Sequence, residues 1–144
     1  VTLLELLVVA TLIGIFASVV AMRFGRTLFS EFGANSLARE LSLDLLTCQR
    51  AAITTGDDHF LSFVVSGGNA TSYSLIRDTA GGDVLVDGPK TFSEDVTVTV
   101  SHAEMRFNFE GSAAANYSLL LTGQNRQWQV DVVPITGAVS VAEI

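Results

Sequence analysis

The sequence predicts an α+β protein in which a long N-terminal α-helix, half membrane-spanning and half amphipathic, packs on a C-terminal antiparallel β-sheet or sandwich. Three observations predict it. The first 22 residues hold one charged side chain, Glu5, whereas the remaining 122 hold 22. Residues 23–55 contain no proline and carry apolar side chains near helical spacing. After Gly56 the chain breaks into short alternating runs separated by glycine-rich turns. The expected divisions are a transmembrane helix at 1–22, its amphipathic continuation at 23–56 and a β-rich head at 57–144.

Residues 1–22 read VTLLELLVVATLIGIFASVVAM. As a helix they span roughly 33 Å, against a hydrocarbon core of about 30 Å. The segment has no basic leading region and no small-residue cleavage site, so it does not read as a secretory signal. It also lacks an initiating methionine, from which we expect that an upstream piece has been removed. Glu5 is the anomaly, because a carboxylate deep in a bilayer costs about 2.5–3.5 kcal/mol and calls for a partner. No Lys or Arg lies within the segment. A chain beginning at Val1 offers an α-amino group, mostly protonated at neutral pH. Glu5 then meets its own Val1, or the Val1 of a neighbour, or is held in the first turn by the helix dipole alone.

At Thr2, Leu3, Leu4, Glu5, Leu6, Leu7, Val8, Val9, Ile13, Gly14 and Ile15 the segment resembles the mature N-terminus of type IV pilins and type II secretion pseudopilins. The resemblance implies that prepilin peptidase exposes the Val1 amine, that the amine is N-methylated, and that Glu5 pairs with it on an adjacent subunit. It further implies a filament core packed through Leu3, Leu6, Val9, Ile13 and Gly14. Two positions depart from the pattern: Val1 replaces the usual phenylalanine, and Met22 stands where many pilins have a helix-kinking proline. A straighter helix follows, or local melting at Gly14, where glycine costs up to about 1 kcal/mol against alanine. A close helix–helix contact at Gly14 is the alternative. Arg23 and Arg26 would place the head in the cytoplasm on the positive-inside rule; the basic leader of the family reverses this and implies an extracytoplasmic head.

Beyond the membrane, Phe24, Leu28, Phe32, Leu37, Leu41, Leu45 and Cys48 form an apolar stripe opposite Arg26, Glu31, Arg39, Glu40, Asp44 and Gln49. Gly56 before Asp57 and Asp58 is a stop signal, and Gly25 and Gly33 are places for a bend or frayed turn. Eight strands are expected at 59–66, 71–77, 83–87, 95–101, 104–109, 116–122, 126–133 and 135–142. The runs Met105 to Gly111, Tyr117 to Leu121, Gln127 to Val132 and Thr136-Gly137-Ala138-Val139 resemble, in that order, the GspH/FimT-like minor pseudopilins. Relatives that bind DNA carry arginines in the closing strand, where this chain has Ala138 and Ser140.

The net charge of −7 resides almost wholly after residue 22. Such a surface is a poor match for phosphate backbones, so no nucleic acid is expected as a partner. The one cysteine, Cys48, cannot form an intrachain disulfide and reads as a buried thiol. His59 and His102 are isolated at expected strand starts, with no ligand spacing around them. No nucleophile-elbow, phosphate-loop or zinc-protease pattern is present, which argues against an enzyme. Asp78, Asp83, Asp87 and the Asp57–Asp58 pair offer oxygens of the kind calcium uses, although their spacing is not that of an EF-hand; no cofactor or metal site is assigned. Asn69-Ala70-Thr71 and Asn116-Tyr117-Ser118 fit the glycosylation pattern by sequence alone.

Together these features point to a filament subunit that waits in the inner membrane and is then extruded with its helix inside and its head outside. Its partners would be copies of itself or other pilins and pseudopilins. Two other readings compete. A filament-borne adhesin or secretion-substrate receptor would show an exposed aromatic groove on the head. A monomeric membrane-anchored sensor or enzyme would show a concave polar site.

Overall fold

The computed structural model describes residues 2–144, the side chains of Ala21 and of residues 23–31 excepted. One helix, α1, runs Leu3–Thr55 for 53 residues, about 80 Å at the usual rise. It starts at Thr2, an extended N-cap whose hydroxyl accepts from the Glu5 N–H while the Glu5 side chain accepts from the Thr2 N–H. This reciprocal capping box satisfies two backbone donors that a helix start leaves open. The helix stops at Gly56, as its sequence signal indicates. Gly56 adopts φ 75°, the left-handed conformation that ends helices, and returns its N–H to the Ala52 carbonyl at 3.0 Å. Helical structure continues through Gly14, Gly25 and Gly33, so the frayed turn anticipated near Gly25 and Gly33 does not occur.

The head is one antiparallel sheet of eight strands: β1 (His59–Ser66), β2 (Asn69–Thr79), β3 (Gly82–Thr91), β4 (Thr97–Val100), β5 (Glu104–Phe107), β6 (Tyr117–Thr122), β7 (Gln127–Val132) and β8 (Val139–Glu143). The order is β5-β1-β2-β4-β6-β7-β8, with β3 added to β2. Ala113 bridges Phe107 on one side and Pro134 on the other, which bends the two ends of this strip toward each other. The helix lies in the curve, against β1, β5, β6, β7 and β8.

Side-chain alternation explains the core. In β6 and β7 every second residue is buried: Tyr117, Leu119 and Leu121, then Trp128, Val130 and Val132. The helix answers with Ala34, Ala38, Leu41, Leu45, Cys48 and Ala52, all fully buried and spaced alternately by four and three residues. The expected stripe therefore holds from the half-buried Leu37 to Cys48, but not at Phe32, which is 69% exposed because the sheet covers the helix only from Ala34 onward; the side chains of Phe24 and Leu28 lie outside those described. Alanines admit close approach of helix and sheet, while burial of Leu41 and Leu45 contributes about 1.5–3 kcal/mol each. Burial pushes the Cys48 thiol up to about 12, which leaves it protonated and unreactive.

Candidate assembly surface

The first third of α1 has no cover. Leu3–Val20 has a mean hydropathy of 2.5, long and apolar enough to cross a membrane, and none of it is buried. At the expected packing positions exposure runs from 86% at Leu3 to 51% at Val9, with Leu6 and Ile13 between them. A Cβ built at Gly14 would meet nothing within 4 Å, so nothing within the subunit requires glycine there. The two small polar residues of the run fold back on the helix: Thr11 Oγ1 donates to the Val8 carbonyl at 2.8 Å and Ser18 Oγ to the Ile15 carbonyl at 2.7 Å. Internal satisfaction of polar groups is what a hydrocarbon solvent demands.

Glu5 stands in the first turn. The Thr2 N–H donates to its Oε2 at 3.4 Å, and its own N–H donates to Thr2 Oγ1 at 3.3 Å, both long for hydrogen bonds. Its carboxylate faces no cationic side chain among the described residues, and Val1 lies outside them. The structure thus places Glu5, Leu3, Leu6, Val9, Ile13 and Gly14 on one exposed helix, where they touch no other element of the subunit.

The other end of α1 is fastened by polar contacts that the sequence reading missed. Gln49 Nε2 donates to the carbonyls of Gly111 at 2.7 Å and Thr136 at 3.1 Å, tying two loops to the helix. Gly111 and Gly137 both have positive φ, and both border Gln49. A Cβ at Gly111 would lie 2.8 Å from Ile53 Cδ1, and one at Gly137 would collide with the Gly111 carbonyl and Gln49 Nε2. The glycines that end the aromatic strand and follow Thr136 are thus two walls of one glutamine clamp. Their recurrence beside turns was the available signal.

Asp44 makes a second fastening. Its Oδ2 accepts from the Tyr73 hydroxyl at 2.6 Å and from Lys90 Nζ at 2.9 Å, joining the helix to β2 and β3. Tyr73 stacks on Phe92, with ring centres 5.2 Å apart. Burial first, then the bond to Asp44, raises the Tyr73 hydroxyl well above its ordinary range; the same carboxylate raises Lys90.

The acidic residues weighed for calcium are largely engaged with cations. Asp57 pairs with Arg77, Asp78 with Arg106, and Asp87 with Lys90 at 3.3 Å. Among the described residues no three metal-ligating side chains converge. His59 opens β1 as expected, buried, with Nδ1 3.0 Å from the Asp57 carbonyl. His102 instead sits between β4 and β5, its ring edge against Tyr117 and its Nδ1 2.9 Å from Ser101 Oγ.

No family model and no curated protein matches the chain. Solved structures do. The minor pseudopilin EpsH from the type 2 secretion system of Vibrio cholerae is 17% identical, with a TM-score of 0.63, covering 76% of this chain and 96% of its own. A second EpsH structure is 14% identical at a TM-score of 0.62, covering 76% and 95%. The type IV minor pilin FimU of Pseudomonas aeruginosa is 10% identical at a TM-score of 0.64, covering 80% and 92%. The chain therefore shares the fold of minor subunits from both kinds of system.

Proposed function

We propose that this chain is a pilin or pseudopilin subunit, held in the inner membrane by its N-terminal helix and then drawn into a type IV pilus-like or type II secretion-like filament. One observation carries the reading: an uncovered apolar helix of membrane-spanning length continues, unbroken, into the core of a head with the minor-pilin fold. In this reading residues 1–22 serve as membrane anchor and filament core, 23–56 as the stem, and 57–144 as a head on the periplasmic or extracellular side. The role is structural, with no reaction assigned to it.

Leaving lipid for neighbouring helices changes hydrophobic burial little, because acyl chains are as apolar as leucine. Packing along Leu3, Leu6, Val9, Ile13 and Gly14 supplies shape, and a charge pair supplies direction. Glu5 is the acid of that pair; its partner is the amine that prepilin peptidase exposes at Val1 of a neighbour, N-methylated in this family. The long capping contacts to Thr2 make Glu5 inexpensive to redirect.

Replacing Glu5 tests this. Glu5→Val is expected to insert in the membrane at least as well as the parent while its incorporation into filaments falls roughly tenfold or more. Glu5→Gln is expected to behave likewise, since it keeps the shape and loses the charge. Membrane fractionation and immunogold electron microscopy read both steps, and undiminished incorporation of either variant would refute the pairing.

A further inference from the structure

One edge of the head is formed by β3. Among the described residues this strand pairs with β2 alone, so its other edge presents unpaired backbone donors and acceptors. Three consecutive apolar residues lie on it, Val84, Leu85 and Val86, exposed by 50%, 58% and 50%. Consecutive exposed apolar residues on an edge strand are what soluble proteins usually avoid. The backbone protections are confined to one end: irregular pairing opposite Val86 and Ser74, and Pro89, which has no N–H to offer. From Gly82 to Leu85 the register against Thr79–Ile76 is regular.

Charge decides what can pair there. The apolar triplet is bracketed by Asp83 and by Asp87, whose carboxylate is exposed and only shares Lys90 with Asp44, at 3.3 Å against 2.9 Å. Two copies of β3 joined antiparallel with their apolar residues in register about Leu85 would set Asp83 opposite Asp87 at both ends. Like charges directly opposite destabilise a strand pair, so the edge is built against itself. Nor does any other strand of this chain fit. The head's basic residues are Arg77, Lys90, Arg106 and Arg126, no two of them fewer than 13 positions apart.

We infer that β3 is a strand-addition site for an extended segment of a different protein, apolar in its middle and carrying Lys or Arg at both ends. Backbone bonds to the free edge supply the attachment, and Asp83 and Asp87 select the basic flanks. The segment is short, which suits a reversible contact. The inference goes beyond the filament reading and does not depend on it.

The test uses the full chain in detergent micelles and two synthetic peptides, Lys-Val-Val-Val-Lys, whose end residues fall opposite Asp83 and Asp87 when it is centred on Leu85, and its counterpart with glutamate at both ends. Amide hydrogen exchange at residues 82–86 is the readout. The lysine peptide is expected to slow exchange there by roughly threefold or more, and the glutamate peptide to leave it unchanged. Leu85→Lys, an exposed site whose change spares the core, is expected to abolish the effect, and the double variant Asp83→Lys with Asp87→Lys to transfer it to the glutamate peptide. Equal slowing by both peptides, no slowing at saturating peptide, or protection that grows with protein concentration alone would overturn the assignment, the last in favour of a second copy. No filament forms in this experiment, so its outcome is separate from that of the Glu5 variants.

Discussion

The two ends of α1 differ in how they meet their surroundings. Between Ala34 and Ala52 the buried residues form one stripe, spaced alternately by four and three, with Asp44 and Gln49 reaching out as fasteners. Between Leu3 and Val20 there is no stripe: the helix is apolar around its circumference, and its lone acid caps its own start. A stripe implies cover on one side, by a sheet. Apolarity all round implies a solvent on every side, which is lipid or a ring of other helices. One unbroken helix thus joins a segment stabilised inside the subunit to one that only surroundings can stabilise.

That contrast can be broken from the packed side first. Gly137→Ala forces a side chain into the Gly111 carbonyl and Gln49 and is expected to cost the head about 4 kcal/mol, read by denaturant unfolding in micelles, with membrane insertion unchanged. Leu45→Ala leaves a cavity in the packed half and is expected to cost about 3 kcal/mol, whereas Leu12→Ala in the exposed half moves head stability by less than about 0.5 kcal/mol. Equal effects of these two leucines would erase the distinction.

The smallest expected effect is one of pH. Tyr73 and Lys90 both have folded-state pKa values raised above their ordinary ones. Each therefore contributes stability that is complete below its unfolded value, near 10 for both groups, and is lost as pH rises above it. Head stability is expected to fall above about pH 10, and less steeply in Tyr73→Phe, as followed by circular dichroism. An equal slope in that variant would remove Tyr73 from the account.

Much of the fold was legible because its signals are periodic. Each of the eight expected strands overlaps an observed one, and Gly56 ends the helix as its position indicates. The misplacements have local causes. The expected eighth strand began at Ile135, but Ile135–Ala138 form a tight turn: Ile135 has φ 65°, the Thr136 N–H meets the Pro134 carbonyl and the Gly137 N–H meets that of Val133. A β-branched residue with positive φ leaves no trace in a hydropathy pattern. The third strand runs on through Gly88 and Pro89 to Thr91, since an edge strand with irregular pairing tolerates both. Ala34, Ala38 and Ala52 escaped the stripe because alanine is equally at home on either face of a helix. For the assembly surface, the apolar run and Glu5 are plain in the sequence, and so is the Thr2-x-x-Glu5 spacing of a capping box. The glutamine clamp depends on loops 62 and 87 residues away from Gln49, a separation no local pattern encodes.

The central claim is that the uncovered half of α1 exchanges lipid for the helices of other subunits. A benzophenone photo-crosslinker placed at Ile13 and activated before and after assembly tests it most directly. The account predicts lipid adducts in the membrane-held subunit and adducts with the N-terminal helices of other subunits in assembled filaments. Lipid adducts alone in both states would contradict it.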